Sequence, residues 1–595
     1  MKQFLKFTLA ALVAIMISGA VITAIGLSAV AVLTSKEEAP TEVKEKSVLY
    51  VKLSGEIVEH TQKNTIDDIM GLGVGRKSLS TIVTAIDKAA KCPDIAGIYL
   101  EPGVMETDYA SLQEIRNAIL RFKVAKKGKA KVIAFANEYT QGAYYVCSAA
   151  DEVWMNSQGM LDIHGLSATP VYYKDVMARF GVKVTVVKVG QYKSATEPFT
   201  ETKMSDANRA QVTRFVSDIW NTIKKDIADS RKLTAEKINS IADSTTALLP
   251  ATDMKKLGLV DRLLYADEVA ANIKATLGLD KDEDINQVSC SDMERYENNV
   301  DASENKIAVI YCEGSIVRNA TLNALNTESG IVSKSMIDIL KDIKKDDAVK
   351  AVVLRINSGG GDAFASEEIW HAISEVKKTK PVVVSMGGAA ASGAYYMSAP
   401  ASWIVAQPTT LTGSIGIFGL FPDFTGLTQG LLGLKYDNVK TNEHADFDLT
   451  QTARPFNTQE LRMLQAHINR GYDLFCKRVS DGRKIPINRV KEIAQGRVWT
   501  GKDAKGIGLV DQLGGMPEAM AKAAQLAKLK DYSVTAFPKD KDIFGQLQET
   551  AGHRNNLDEQ LHETLGTMYE PYKQIRILEK ASKVQAMMPW FLNIN

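Results

Sequence analysis

The first apolar stretch of the chain is also its longest. From Phe7 to Ser35 there is no charged residue, and Leu9-Ala10-Ala11-Leu12-Val13-Ala14-Ile15-Met16-Ile17 runs on through Ile22, Ile25 and Leu27 to Leu33. About 20 apolar residues cross a bilayer core, whereas the apolar region of a cleavable signal has about 7–15. The pattern therefore predicts a retained membrane anchor over residues 7–34. Lys2 and Lys6 precede the run, and Lys36, Glu37 and Glu38 follow it. The positive-inside rule keeps the N-terminus cytoplasmic and carries the body across the membrane. A long signal peptide cut near Ala29-Val30-Ala31 would leave the body on that same side.

Beyond a polar spacer at Ala39-Pro40-Thr41-Glu42 the pattern shortens into β-branched runs. Val48–Leu53, Ile95–Leu100 and Val132–Phe135 have strand character, as do Ile307–Cys312, Val352–Ile356 and Val382–Ser385. Helical spacing lies between them. Leu112, Ile115, Ala118 and Ile119 share one helix face, and Ile369, Ala372, Ile373 and Val376 another, with Ser366 placed to cap the second. Val212, Phe215, Ile219 and Ile223 mark a longer helix with a buried stripe. Strand, helix and strand at these spacings imply βαβ crossovers and a largely parallel sheet, an α/β class.

The chain contains this pattern twice. Gln141-Gly142-Ala143-Tyr144-Tyr145-Val146 matches Ser392-Gly393-Ala394-Tyr395-Tyr396-Met397 at an offset of 251, and Lys256-Leu257-Gly258-Leu259-Val260-Asp261 matches Gly506-Ile507-Gly508-Leu509-Val510-Asp511 at 250. Val187-Lys188-Val189-Gly190 and Val439-Lys440-Thr441-Asn442 keep the register at 252. Ser392 of the second copy faces Gln141 in the first, while Lys193 of the first faces Ala445 in the second. The expected layout is an anchor and spacer (1–46), a first repeat (47–277), an acidic linker (278–305), a second repeat (306–537) and a helical tail (538–595). The tail's Met587-Met588-Pro589-Trp590-Phe591-Leu592 could close its own core, meet a neighbouring subunit or touch the membrane.

At 595 residues the chain exceeds one core. Lys plus Arg total 72 against 71 Asp plus Glu, a net charge of +1, so no long-range field draws the body to nucleic acid. Cys92, Cys147, Cys290, Cys312 and Cys476 show no metal-ligand spacing, and their odd number cannot all pair within one chain; they read as buried small hydrophobes. Gly71-Leu72-Gly73-Val74-Gly75 lacks the leading strand and third glycine of a nucleotide loop, and Asp280, Asp282 and Asp284 read as solvated linker. No cofactor and no metal is implied.

The chemistry gathers in the second copy. The strand Val353–Asn357 runs into Ser358-Gly359-Gly360-Gly361-Asp362, where residues without Cβ let backbone N–H groups approach a ligand closely. A second strand, Pro381–Met386, leads through the small-residue turn Gly387–Ala391 to Ser392 at a helix N-terminus, in the manner of a nucleophile elbow. A serine hydroxyl needs a base. His371 and His444 stand outside these motifs, whereas a lysine can serve once burial lowers its pKa.

Asn357-Ser358-Gly359-Gly360-Gly361, Ala390-Ala391-Ser392-Gly393-Ala394-Tyr395-Tyr396 and Leu411-Thr412-Gly413-Ser414-Ile415-Gly416 together resemble the signal peptide peptidase A (protease IV) family of bacterial inner membranes. Gly190-Gln191-Tyr192-Lys193-Ser194-Ala195-Thr196-Glu197-Pro198-Phe199 resembles that family's lysine motif, and the likeness covers roughly residues 47 to 535. It departs at Gly359, where the family usually has proline. The resemblance implies two tandem repeats of the caseinolytic protease and crotonase fold, and a Ser392/Lys193 dyad assembled across them. It implies Ser414 as the residue orienting the lysine, with Ser194 a weaker candidate. For the oxyanion hole, which must hold donors at hydrogen-bond distance from the developing charge, it leads us to Gly361 and Gly393, with Gly360 the competitor. The function implied is a membrane-anchored serine endopeptidase acting on hydrophobic peptides such as signal-peptide remnants, with a homo-oligomer, a tetramer, as its assembly. The alternative from another class is a non-catalytic peptide-binding scaffold. Acyl-CoA chemistry on the same fold is disfavoured, because export removes the body from cytoplasmic CoA.

Overall fold

In a computed structural model of the chain, residues 42–61, 76–296, 303–319, 330–539 and 584–588 are described. The expected anchor over 7–34 and the glycine run at 71–75 lie outside the described residues. Among the described residues no helix is long and apolar enough to cross a membrane.

The first half lays down β1 (Ser47–Val58), β2 (Ile95–Glu106), α1 (Tyr109–Lys126), β3 (Lys131–Tyr139), α2 (Gln141–Cys147), β4 (Glu152–Leu161), β5 (Lys183–Lys188) and α3 (Asp206–Arg231). β1 to β4 form a parallel sheet in sequence order, each step a crossover through a helix. The second half repeats the plan. It comprises β6 (Lys306–Glu313), β7 (Val349–Ser358), β8 (Gly360–Asp362), α4 (Ala363–Lys377), β9 (Val382–Ala391), α5 (Gly393–Ser398), β10 (Leu411–Gly413), β11 (Phe418–Asp423) and α6 (Thr458–Arg483). β6, β7 and β9 are parallel neighbours, and β10 extends the far half of β9. Val352, Val353, Leu354, Val382, Val383 and Val384 are wholly buried, as continuous apolar runs in a doubly covered sheet should be.

The repeated sequence anchors turn out to be partners of one another. Tyr144 Oη donates to Leu259 O at 2.8 Å, and Tyr395 Oη donates to Leu509 O at 2.8 Å. Asp261 accepts from the Val153 amide and pairs with Arg231, while Asp511 accepts from Ile404 and pairs with Arg483. A buried phenol needs an acceptor, so each Gly-Ala-Tyr-Tyr requires its own Gly-Leu-Val-Asp about 115 residues later. α3 and α6, each 26 residues long, close the two repeats. The predicted stripe Val212, Phe215, Ile219 and Ile223 is buried, and the Ser205 hydroxyl accepts from the Asn208 amide to cap α3.

Four local differences have physical causes. α4 starts three residues before Ser366: Asp362 caps it through the Ala365 amide at 2.7 Å, and the Ser366 hydroxyl donates back to Asp362 O. The expected turn Gly387–Ala391 is strand, because its small residues leave room for carboxylates of the first repeat. A Cβ on Gly387 would stand 2.2 Å from Glu59 Oε1, and one on Gly388 would stand 2.2 Å from the Asp108 carboxyl carbon. Part of the expected linker is ordered on the first repeat. Gln287–Ser289 pairs with β1 and Cys290–Glu294 is helical, with Val288 and Met293 in that repeat's core. Finally, Val584–Met587 of the expected helical tail is a strand, β12, because its backbone is paired on both sides, with β8 and with β11.

A third sheet joins the halves. Its order is Ile331–Val332, Ile316–Val317, β8, β12, β11 and β5. β5, from the first repeat, runs antiparallel to β11 from the second, with Lys188 opposite Phe418 and Lys183 opposite Asp423. This pairing delivers the segment after β5, including Lys193, to the second repeat. Four of the five cysteines are buried and Cys290 is partly so, and all five thiols are free.

Candidate active site

Ser392 sits where β9 turns into α5. It has φ 56° and ψ −116°, a conformation that costs a β-carbon-bearing residue and persists only where its surroundings impose it. Here the Ser392 amide donates to Gly413 O at 2.8 Å, and its carbonyl accepts from the Tyr396 amide as α5 begins. Gly393 is the first residue of that helix, so its N–H has no acceptor within the helix. Ser414, at the end of β10, is also left-handed, with φ 48°, and its amide donates to Arg497 O at 2.7 Å. Both hydroxyl-bearing residues are thus aimed by backbone held in place on two sides.

Lys193 arrives from the other repeat. Its Nζ lies 2.7 Å from Ser392 Oγ, 3.0 Å from Ser414 Oγ and 3.0 Å from Ser414 O. Lys193, Ser392 and Ser414 each have zero solvent exposure. The Phe418 ring centroid is 6.0 Å from Nζ, and among the described residues no carboxylate bonds to it. Burial pushes the Lys193 amine well below its ordinary value, because an ammonium without water or a counter-ion is the less stable form. Ser194 points elsewhere: its hydroxyl accepts from Gln211 Nε2 at 3.0 Å, and that amide also donates to Tyr192 O. Gln211 Oε1 accepts from the Val498 amide of the second repeat.

Two glycines clamp the lysine, and only one of them lay in a motif legible in the sequence. Gly190 has φ +95°, and a Cβ there would stand 2.3 Å from Gln495 O. Gly496, with φ +77°, was missed: a Cβ on it would stand 2.6 Å from Lys193 Cβ and 2.7 Å from Lys193 N and Cα. Only glycine can take that conformation and let the two chains touch.

The glycine loop becomes β8. A Cβ on Gly361 would lie 2.2 Å from Ile316 O, so no side chain fits there. The Gly360 amide donates to Ser358 Oγ at 3.1 Å. In the first repeat the position of Ser392 holds Gln141, whose side chain is consumed by bonds to the His164 and Gly165 amides, Gly165 O and Tyr109 Oη. His371 is exposed on α4, and His444 pairs with Glu460. Among the described residues no group of three or more His, Cys, Asp or Glu could hold a metal ion.

The fold is mixed α/β with a duplicated Clp-like domain, and comparisons with known proteins agree with it. Residues 315–403 match Clp protease, and residues 124–280 and 374–530 match Peptidase family S49, once in each repeat. Protease 4 of Haemophilus influenzae is 34% identical over 600 residues, covering 95% of this chain and 94% of that protein. Protease 4 of Salmonella typhi is 34% identical over 86% of this chain and 83% of its own length, and the chloroplastic serine protease SPPA of Arabidopsis thaliana is 29% identical over 82% and 70%. The protein is therefore a serine-type peptidase. It belongs to Peptidase family S49.

Proposed function

We propose that this chain is a membrane-anchored serine endopeptidase in which Lys193 is the general base for Ser392. The observation that carries the proposal is the 2.7 Å contact between Lys193 Nζ and Ser392 Oγ, both side chains being fully buried. A neutral amine has two N–H donors and one lone pair. Ser414 O and Ser414 Oγ take the donors, which leaves the lone pair for the serine proton. Ser414 then orients the base, and Gln211 holds the Tyr192 carbonyl before it and the Ser194 hydroxyl after it.

In the reaction Ser392 Oγ attacks the peptide carbonyl as its proton passes to Lys193 Nζ. The carbonyl oxygen takes up the negative charge, and the Gly361 and Gly393 amides stabilise it; Gly360, bonded to Ser358, is the less available donor. The C–N bond breaks as Lys193 returns the proton to the leaving amine, giving an acyl-serine. Water, deprotonated by the same amine, then releases the acid and restores Ser392.

Hydrophobic peptides such as signal-peptide remnants suit a body tethered beside the bilayer by residues 7–34. In this reading the chain is a single-pass protein of the bacterial inner membrane, with its catalytic body periplasmic and its working form a homo-oligomer. A fluorophosphonate probe should label Ser392, as located by mass spectrometry of the tryptic peptides. Ser392→Ala and Lys193→Ala should each abolish hydrolysis of an apolar peptide to a similar residual rate, because residues acting as a unit do not contribute additively. The dyad assignment fails if Lys193→Ala keeps more than about a tenth of the parental rate, a barrier change of only about 1.4 kcal/mol.

A further inference from the structure

β12 lies between two strands that do not otherwise meet. On one side it pairs antiparallel with β8, Gly360 opposite Met587, Gly361 opposite Ala586 and Asp362 opposite Gln585. On the other it pairs antiparallel with β11, Phe418 opposite Gln585 and Gly419 opposite Val584. Remove it and the third sheet divides into two open edges separated by the width of one strand. Such a slot accepts any extended peptide through main-chain bonds on both sides.

The register fixes what this strand presents. The Met588 amide donates to Gly359 O at 2.7 Å. Bonded and non-bonded pairs alternate along an antiparallel ladder, so the next pair to exchange its bonds is Gly361 with Ala586. The Gly361 N–H therefore faces the Ala586 carbonyl. That amide is one of the two donors assigned above to the scissile carbonyl, and β12 also lies against α5, the helix that starts just after Ser392. Met588 is 8% exposed and belongs to an apolar cluster that also includes Ala391, the residue before Ser392.

We infer that residues 584–588 of the chain occupy its own peptide-binding slot, with Ala586 in the place of the residue whose carbonyl is attacked, and that a substrate peptide must displace them. The inference rests on the reading of Gly361 as an oxyanion donor. The tail is a tethered competitor whose main chain makes the bonds that a substrate would make.

The test measures binding without turnover, in the full-length chain carrying Ser392→Ala. A fluorescein-labelled Val-Gln-Ala-Met-Met peptide, the sequence of residues 584–588, is followed by anisotropy. Adding Ala586→Pro to the chain removes the N–H that the ladder requires, and Met588→Asp places a charge at a buried position. Either change should tighten peptide binding at least tenfold, because the apparent affinity of an occupied site is reduced by the fraction of molecules in which it is free. A peptide with proline in place of its alanine should not bind. Affinities within twofold of the parent for both variants, or no binding to either, would overturn the inference. Since no bond is cleaved in this assay, its failure is separable from that of the Ser–Lys proposal, which stands or falls with the fluorophosphonate and Lys193→Ala measurements.

Discussion

Lys193 carries an amine in a place where an ammonium is unstable, and that fixes the sign of its pH response. Burial is the cause of its lowered pKa, and no anionic group among the described residues opposes it. Below that pKa the amine is protonated and cannot accept from Ser392, so the acylation rate should fall about tenfold for each pH unit on the acid side and level off as pH rises. The measurement is kcat/KM against pH from 5 to 10 with a neutral peptide. A profile governed by a group near the ordinary histidine value, and lost in His371→Ala or His444→Ala, would contradict it. The residues of this site were legible as motifs: Ser392, Lys193 and Ser414 could all be named in advance. The choice between Ser414 and Ser194 could not, because it depends on Gln211, whose side chain reaches back from α3 to hold the Ser194 hydroxyl. No local pattern announces a glutamine with that task.

At the level of elements, the site depends on how closely two loops approach. The turn after β5 and the turn before Val498–Thr500 touch where Gly496 meets the Lys193 backbone, and the Gly496 amide is bonded in turn to Ile415 O at 2.8 Å. Gly496→Ala should therefore push Lys193 away from Ser392 while leaving both cores intact. A displacement of about 1 Å in a reacting group is enough to cost about a hundredfold in rate. Gly506→Ala, whose added Cβ would meet nothing within 4 Å, is the matched control and should be silent. Steady-state kinetics with circular dichroism on both variants decides the matter; a fully active Gly496→Ala would mean that the contact does not position the lysine. The strand and helix pattern was largely readable, since β-branched runs and 3.6-residue spacing report burial directly. The third sheet was not. Its strands are as short as Ile316–Val317 and Gly360–Asp362, and partners such as Gly361 and Ala586, or Lys188 and Phe418, lie more than 200 residues apart in the chain. Periodicity carries no information about such pairings.

Across the whole molecule, the two repeats are locked by charge as well as by β5. Arg355 of the second repeat reaches Glu59 and Glu114 of the first, each at 2.7 Å, and all three side chains are 2% exposed. One guanidinium is thus shared by two buried carboxylates, burial still raising the pKa of Glu59, and among the described residues no cation is bonded to Glu313, whose Oε2 accepts from the Glu59 amide at 3.3 Å. Burial, reinforced by the negative charge of Glu59 and Asp108, raises the Glu313 carboxyl from 4.5 to about 7. Between those two values the folded chain holds a proton that the unfolded chain has released, so folding stability falls as pH rises through this window. Glu313→Gln keeps an acceptor for the Glu59 amide and removes the titration. The variant should match the parent near pH 4.5 and become progressively more stable above it. At about 1.4 kcal/mol per pKa unit, the gain should approach about 3 kcal/mol by pH 8. Urea unfolding of both proteins at pH 5 and pH 8 measures this, and an unchanged difference between the two pH values would show that the Glu313 carboxyl titrates normally in the folded chain. The expected result would make the junction between the repeats, on which the meeting of Lys193 and Ser392 depends, tighter in mildly acidic surroundings, even as, in the proposed mechanism, acid protonates the lysine and stops the chemistry.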